Sequence, residues 1–199
     1  MKTFTAIPKR GVVWSRFLSL AGLCGSLGVS SAATVTFNGL VGANGTPWTT
    51  PYTEGTFTVT QNSGNWFEAH QFGNPIPDIF ATSPVASVKV TDNSTGLFQF
   101  TKVDLADAGS GGATYSILGQ RNGSTLFTIS DGPLAGSIFT TVANPNPAQV
   151  IDTLVISMTA GVVSYNIDNI VMQEVPEPSL WAMGAAAAAI MTPGRRRWR

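Results

Sequence analysis

Short runs of strict alternation constrain this chain more than any other feature. TFTVT (56–60) sets Phe57 and Val59 against threonines, and SVKVT (87–91) sets Val88 and Val90 against Ser87, Lys89 and Thr91. LFQFTKVDL (97–105) places Phe98 and Phe100 on one phase, with Lys102 interrupting the apolar face. TLVISM (153–158) and VSYNIDNIVM (163–172) close the series. A two-residue period in β-branched and aromatic residues predicts half-buried strands, because successive side chains point to opposite faces. TVTF near residue 35, TYSILGQ near 116, TLFTIS near 127 and SIFTTV near 139 bring the count to roughly nine or ten strands.

Turn sequences separate these runs: ANGT, DNSTG, DAGSGG, RNGS, SDGPLAG and ANPNP. Asn122-Gly123 predicts a tight hairpin between TYSILGQ and TLFTIS, since Asn-Gly accepts the left-handed backbone that such turns need. No i, i+3, i+4 apolar run is long enough for a major helix. Residues 62–83 carry Trp66, Phe67, His70 and Phe72 without regular alternation, and predict a long loop over an edge or end of the fold. The expectation is an all-β, jelly-roll-like two-sheet sandwich over residues 34–174, with an N-terminal signal helix and a short C-terminal apolar helix.

Charge is sharply segregated. Lys2, Lys9, Arg10 and Arg16 lie at the start, and Arg195, Arg196, Arg197 and Arg199 at the end. All eleven acidic residues lie between Glu54 and Glu177, a stretch with only Lys89, Lys102 and Arg121 to offset them. An acidic body of this kind repels phosphate backbones, so no nucleic-acid partner is expected.

The opening residues read as a secretion signal: basic residues, then an apolar stretch at 17–29, then SSAA with a cleavage site near Ala32 or Ala33. Residues 1–33 are therefore expected to be removed by signal peptidase. The apolar stretch is shorter than the about 20 residues of a membrane span. Cys24, the only cysteine, follows Leu23, where a lipoprotein signal would need a small residue. The mature chain would then contain no cysteine, hence no disulfide, catalytic thiolate or thiolate-bound metal.

Candidate chemistry is sparse. His70 is the sole histidine, so a multi-histidine zinc site is excluded, and any serine–histidine–acid triad would have to use it. No GxSxG nucleophile elbow is present, and the carboxylates show no glycosidase signature. Trp48, Tyr52, Trp66 and His70, with Phe67, cluster in loop-like sequence. Such rings either stack on sugars from loops or bury area at the sheet ends. Trp66 is the first candidate for a sugar contact, because the polar NSGN before it favours exposure. Alternation puts Asp168 on the face of Ile170, where a carboxylate needs a partner. A structural calcium ion held by Asp168 and Asn38 is one expectation; Asp168 capping nearby amides is the other. Asn44, Asn93 and Asn122 match the N-glycosylation pattern, which is common by chance in such a composition.

The end of the chain reads VPEPSLWAMGAAAAAIMTPGRRRWR. It resembles the PEP-CTERM sorting signal of Gram-negative bacteria in three ordered parts. These are the motif Val175, Pro176, Glu177 and Pro178, the apolar residues 180–191, and the arginines 195, 196, 197 and 199. The resemblance spans residues 175–199. It implies processing by an exosortase, a link to biofilm and exopolysaccharide export, and delivery to the envelope, cell surface or exterior. It also implies a transmembrane helix with Arg195, Arg196, Arg197 and Arg199 as its cytoplasmic anchor. Even residues 179–194 give only about 24 Å of helix, which suits transient retention at the inner membrane better than permanent anchorage. The body of the chain is similar to the extracellular β-sandwich domains that precede this signal. The reading is a non-enzymatic exported protein, with extracellular polysaccharide as an associated partner. A carbohydrate-binding module is the alternative, and a secreted hydrolase a further one.

Overall fold

In the computed structural model, described over residues 32–94, 96–109, 112–160 and 164–175, thirteen strands build two antiparallel sheets. They are β1 (Ala32–Val35), β2 (Tyr52–Glu54), β3 (Phe57–Ser63), β4 (Trp66–Ala69), β5 (Asp78–Ala81), β6 (Val85–Asp92) and β7 (Phe98–Asp107). They continue with β8 (Thr114–Arg121), β9 (Ser124–Asp131), β10 (Thr140–Ala143), β11 (Val150–Ile151), β12 (Thr153–Thr159) and β13 (Tyr165–Glu174). One sheet runs β10-β7-β13-β5-β4, with β1 added to β13 and β11 to β7. The other runs β2-β3-β6-β12-β8-β9. From β5 onward the chain crosses repeatedly between the sheets, so neighbours in sequence often face each other across the core.

The predicted alternation is what fills that core. Phe57, Val59, Val88, Val90, Ile117, Leu154 and Ile156 enter from one sheet. Phe98, Phe100, Val103, Leu105, Tyr165, Ile167 and Ile170 enter from the other. The Asn122-Gly123 hairpin forms as expected, with φ of 50° and 75° at its two central residues and Arg121 opposite Ser124.

Four expectations need correction. Residues 62–83 are not a single loop: Trp66–Ala69 and Asp78–Ala81 pair as β4 and β5 at the edge of the first sheet. Four residues are too few for alternation to stand out, and the prolines lie in the connection rather than in the strands. Lys102 does not break an apolar face. The inward phase of β7 changes from Phe98 and Phe100 to Val103 and Leu105, and Lys102 is left exposed between them. Asp168 and Ile170 likewise do not share a face. Asn169 has φ of 47°, and the register with β7 shifts between Asp168 and Val171. This bulge puts both Ile167 and Ile170 into the core, leaving Asp168 outside it.

The fourth correction concerns the transmembrane helix. Among the described residues no helix is long and apolar enough to cross a membrane, a statement that does not bear on β-barrels. The N-terminal segment 1–31 and residues 176–199, where the signal helix, the apolar helix and the arginine cluster were expected, lie outside the described residues.

Candidate functional site

The outer face of the first sheet carries an unusual set of buried polar groups. Ile167 pairs with Ile79 and Leu105, and all three point inward. The next residues on each strand therefore point outward, and they are Asp168, Asp78 and Asp104. All three are buried, Asp78 and Asp168 at 0% exposure. The connection between β4 and β5 lies against them. The Asn74 amide donates to Asp168 Oδ2 at 2.7 Å, and the Asn169 amide to Asp168 Oδ1 at 2.8 Å. Asn169 Nδ2 donates to the Asn74 carbonyl and, at 3.0 Å, to Asp104 Oδ2. Thr141 Oγ1 donates to Asp104 Oδ1 at 2.6 Å. Gly73 makes the connection this tight: its φ is 152°, and an added Cβ would lie 2.7 Å from Ile76 Cα.

Burial dominates the electrostatics. It pushes the Asp78 carboxyl from 3.8 up to about 9, against the hydrogen bond from Asn166 and with help from the Asp168 charge. Burial also raises Asp168 to about 6. The Asn74 and Asn169 amides oppose that rise, while the Asp104 and Glu54 charges add to it.

Beside this cluster lies a groove of about 270 Å³, lined by Asn44, Gln71, Phe72, Phe80, Ser164 and Asn166 with Ala69 and Ala108. Both rings are backed by others. Phe80 stacks on Phe67 at 5.3 Å and Phe72 on Phe139 at 5.0 Å, which fixes them as platforms. Asn166 is 2% exposed. Its Nδ2 donates to both Asp78 oxygens at 3.1 and 3.0 Å, while its Oδ1 has no partner. Among the described residues the other such atom is Gln149 Oε1, away from this groove. An unmet buried acceptor costs about 1–3 kcal/mol, so Asn166 Oδ1 marks a place where a ligand donor would be rewarded. The volume falls just short of the about 300 Å³ at which enclosed small-molecule pockets begin. A second depression, of about 240 Å³, lies at Tyr115, Asp131, Pro133 and Leu134 and has no orphan polar atom.

The sequence-predicted residues are distributed differently. Trp66 is 1% exposed, its indole N–H donating to the Ser63 and Ser87 carbonyls and its ring meeting Tyr165 edge-on at 6.1 Å. The expected exposure is thus corrected: the polar residues before Trp66 are themselves exposed, and β4 carries the ring inward. Trp48, at 3% exposure, packs edge-on to Phe37 at 6.5 Å. Tyr52 is half-buried on Phe37, and its hydroxyl accepts from the Gly39 amide and donates to Glu54 Oε2. His70 pairs its Nε2 with Glu68 Oε2 at 3.0 Å, and its amide donates to Asn44 Oδ1 at 2.9 Å. His70 therefore supports one wall of the groove through Asn44, while the two tryptophans are core.

For the calcium expectation, both Asp168 oxygens accept backbone amides, and the exposed Asn38 sends its own amide toward Thr36 Oγ1 at 3.5 Å. Among the described residues no group of three or more His, Cys, Asp or Glu side chains is placed to hold a metal ion. Of the sorting motif, Val175 is described, its amide donating to the Leu97 carbonyl at 3.1 Å. Pro176, Glu177, Pro178 and the four arginines lie outside the described residues.

No family model matches the sequence, and no curated protein does. Several solved structures are distantly similar. A family 29 carbohydrate-binding module, CBM29_1 from Piromyces equi, is 9% identical with a TM-score of 0.43, over 73% of this chain and 91% of that one. The K2 cleaved adhesin domain of Lys-gingipain is 10% identical with a TM-score of 0.42, over 73% of this chain and 100% of that one. The K1 cleaved adhesin domain of Lys-gingipain from Porphyromonas gingivalis W83 is 8% identical with a TM-score of 0.40, over 74% of this chain and 99% of that one. Likeness at this level assigns no ligand or partner.

The groove residues were missed in the sequence because they come from five separate segments. Asn44 lies after β1, Gln71 and Phe72 after β4, and Phe80 on β5. Ala108 follows β7, and Asn166 lies on β13. The local signals were Phe72, in the aromatic stretch at 62–83, and Asn166, a polar residue inside the apolar run VSYNI.

Proposed function

We propose that this chain is an exported carbohydrate-binding module whose binding site is the groove at Asn166. The observation that carries the reading is the orphaned Asn166 Oδ1 beside Phe72 and Phe80. Sugars present hydroxyl donors on a ring with apolar faces. A buried acceptor next to backed aromatic platforms meets both needs. Asn44 and Gln71, exposed on the rim, add amides that both donate and accept.

Export is the second half of the proposal. It rests on the basic and apolar N-terminus, the SSAA cleavage pattern and the VPEP motif with its terminal arginines. Signal peptidase and an exosortase are the processing partners, and extracellular polysaccharide is the ligand source. In this reading the protein works by binding.

The test is affinity electrophoresis of the full chain through gels containing soluble polysaccharides. Retardation is expected on at least one, and Phe80→Ala is expected to weaken it by about tenfold or more. Equal mobility in every gel would sink the binding reading. Mass spectrometry of the protein recovered from its host reads both termini. Intact ends at Met1 and Arg199 would sink the processing reading.

A further inference from the structure

The groove also constrains the charge of its ligand, and this inference rests on the carbohydrate reading above. Its lining side chains are amides, a hydroxyl, small apolar groups and phenyl rings, with no cation among them. Behind Asn166 stand three carboxyl groups on adjacent strands, Asp78, Asp168 and Asp104. Between residues 34 and 174 the chain has three lysines and arginines, and its one histidine, His70, has its Nε2 held by Glu68 Oε2 at 3.0 Å. Lys89 on β6 and Arg121 at the end of β8 belong to the opposite sheet. Lys102 lies on β7, four residues from Ala106, which pairs with Asn166. At about 3.3 Å per residue that is about 13 Å along the strand, with Asp104 standing between Lys102 and the groove.

A uronate or sulfate seated at Asn166 would therefore lose its hydration, meet no cation in the groove lining and lie beside an acidic cluster. A hydroxyl that reached the buried Asn166 Oδ1 would supply the donor that this acceptor lacks. Asp78 takes both its contacts from Asn166 Nδ2, which leaves Oδ1 as the free end of that amide. We infer that the groove selects neutral polysaccharide, a segment without carboxylate or sulfate whose sugar hydroxyl donates to Asn166 Oδ1.

The test runs the full chain on a neutral panel (β-glucan, galactomannan, dextran) and an acidic one (alginate, polygalacturonate), at low and high salt. Retention on neutral gels only, insensitive to salt, is the expected result. Stronger, salt-sensitive retention on the acidic gels would overturn the neutral assignment and leave sugar binding intact. Retention on neither panel would overturn both. Asn166→Ala is expected to lower neutral affinity by about tenfold or more; full affinity in a folded variant would overturn the contact. Because Asn166 is buried, a second variant uses the exposed rim. Gln71→Lys places a cation in the groove and is expected to gain retention on alginate. No gain would overturn the claim that missing positive charge is what rejects acidic chains.

Discussion

At the scale of single residues, polar side chains with unusual duties sit where the strands deviate from regularity. Asn169 adopts a left-handed backbone at the β13 bulge and ties Asn74 to Asp104 through one amide nitrogen. Asn169→Ala loses those bonds and strains the backbone, and is expected to cost about 2–4 kcal/mol in urea unfolding. Asn169→Gly keeps the backbone free and is expected to cost about 1–2 kcal/mol less than alanine. Equal costs would mean that φ is not what selects asparagine. Trp66→Ala removes a buried ring and both indole contacts, for an expected loss of about 3–5 kcal/mol. A loss under about 1 kcal/mol would contradict its core placement. Sequence made the type of these residues visible but not their direction. Trp66 and Asn166 differ from their neighbours in ways that composition alone registers. Only the partner strands decide that the ring goes inward and that the amide lies between Asp78 and the groove lining.

At the scale of elements, alternation read correctly wherever a strand is long and one-sided. β12 and the β8–β9 hairpin were legible for that reason, the second helped by Asn122-Gly123. β4 and β5 were hidden by their brevity, and the shifted phases of β7 and β13 by bulges that a strict period of two cannot represent. The hairpin also contains a residue that alternation cannot explain. Gly119 sits opposite Phe127, and an added Cβ would lie 2.1 Å from Phe127 Cε1. The glycine gives the ring its seat across the strand pair. Phe127 in turn lies parallel to Phe100 of the other sheet at 6.4 Å. Gly119→Ala is expected to destabilise by about 1–3 kcal/mol through overpacking. In a Gly119→Ala, Phe127→Leu double variant part of that loss is expected to return. A strictly additive double mutant would argue that the two residues are not coupled.

At the scale of the whole molecule, the buried carboxyl groups set how stability varies with pH. Asp78 and Asp168 hold their protons more tightly in the folded state, at about 9 and about 6, than the ordinary 3.8. Their contribution is fully present below the unfolded value and is lost as pH rises through the folded values. The folded chain binds more protons across that window, so stability falls as pH rises. From about pH 6 to about pH 9 the Asp78 carboxyl carries this fall, at up to about 1 kcal/mol per pH unit. Thermal melts should show a falling midpoint over this range, and Asp78→Asn should flatten it. An unchanged slope in that variant would show that the loss arises elsewhere. The charge segregation visible in the sequence pointed to an acidic body. It could not reveal that part of the acid is held neutral by burial, because the three strands that assemble it are distant in the chain.

The pairing of β1 with β13, Ala32 opposite Gln173, gives the fold a timetable. β13 lies between β7 on one side and β5 and β1 on the other, so the first sheet lacks its middle until the last described strand arrives. A chain synthesised from its N-terminus therefore holds β1, β5 and β7 without their common neighbour until β13 is made. Long-range closure of this kind is slow relative to local pairing. The first sheet can therefore close only once residue 174 has been made, whereas the second sheet has all six of its strands as soon as β12 is complete.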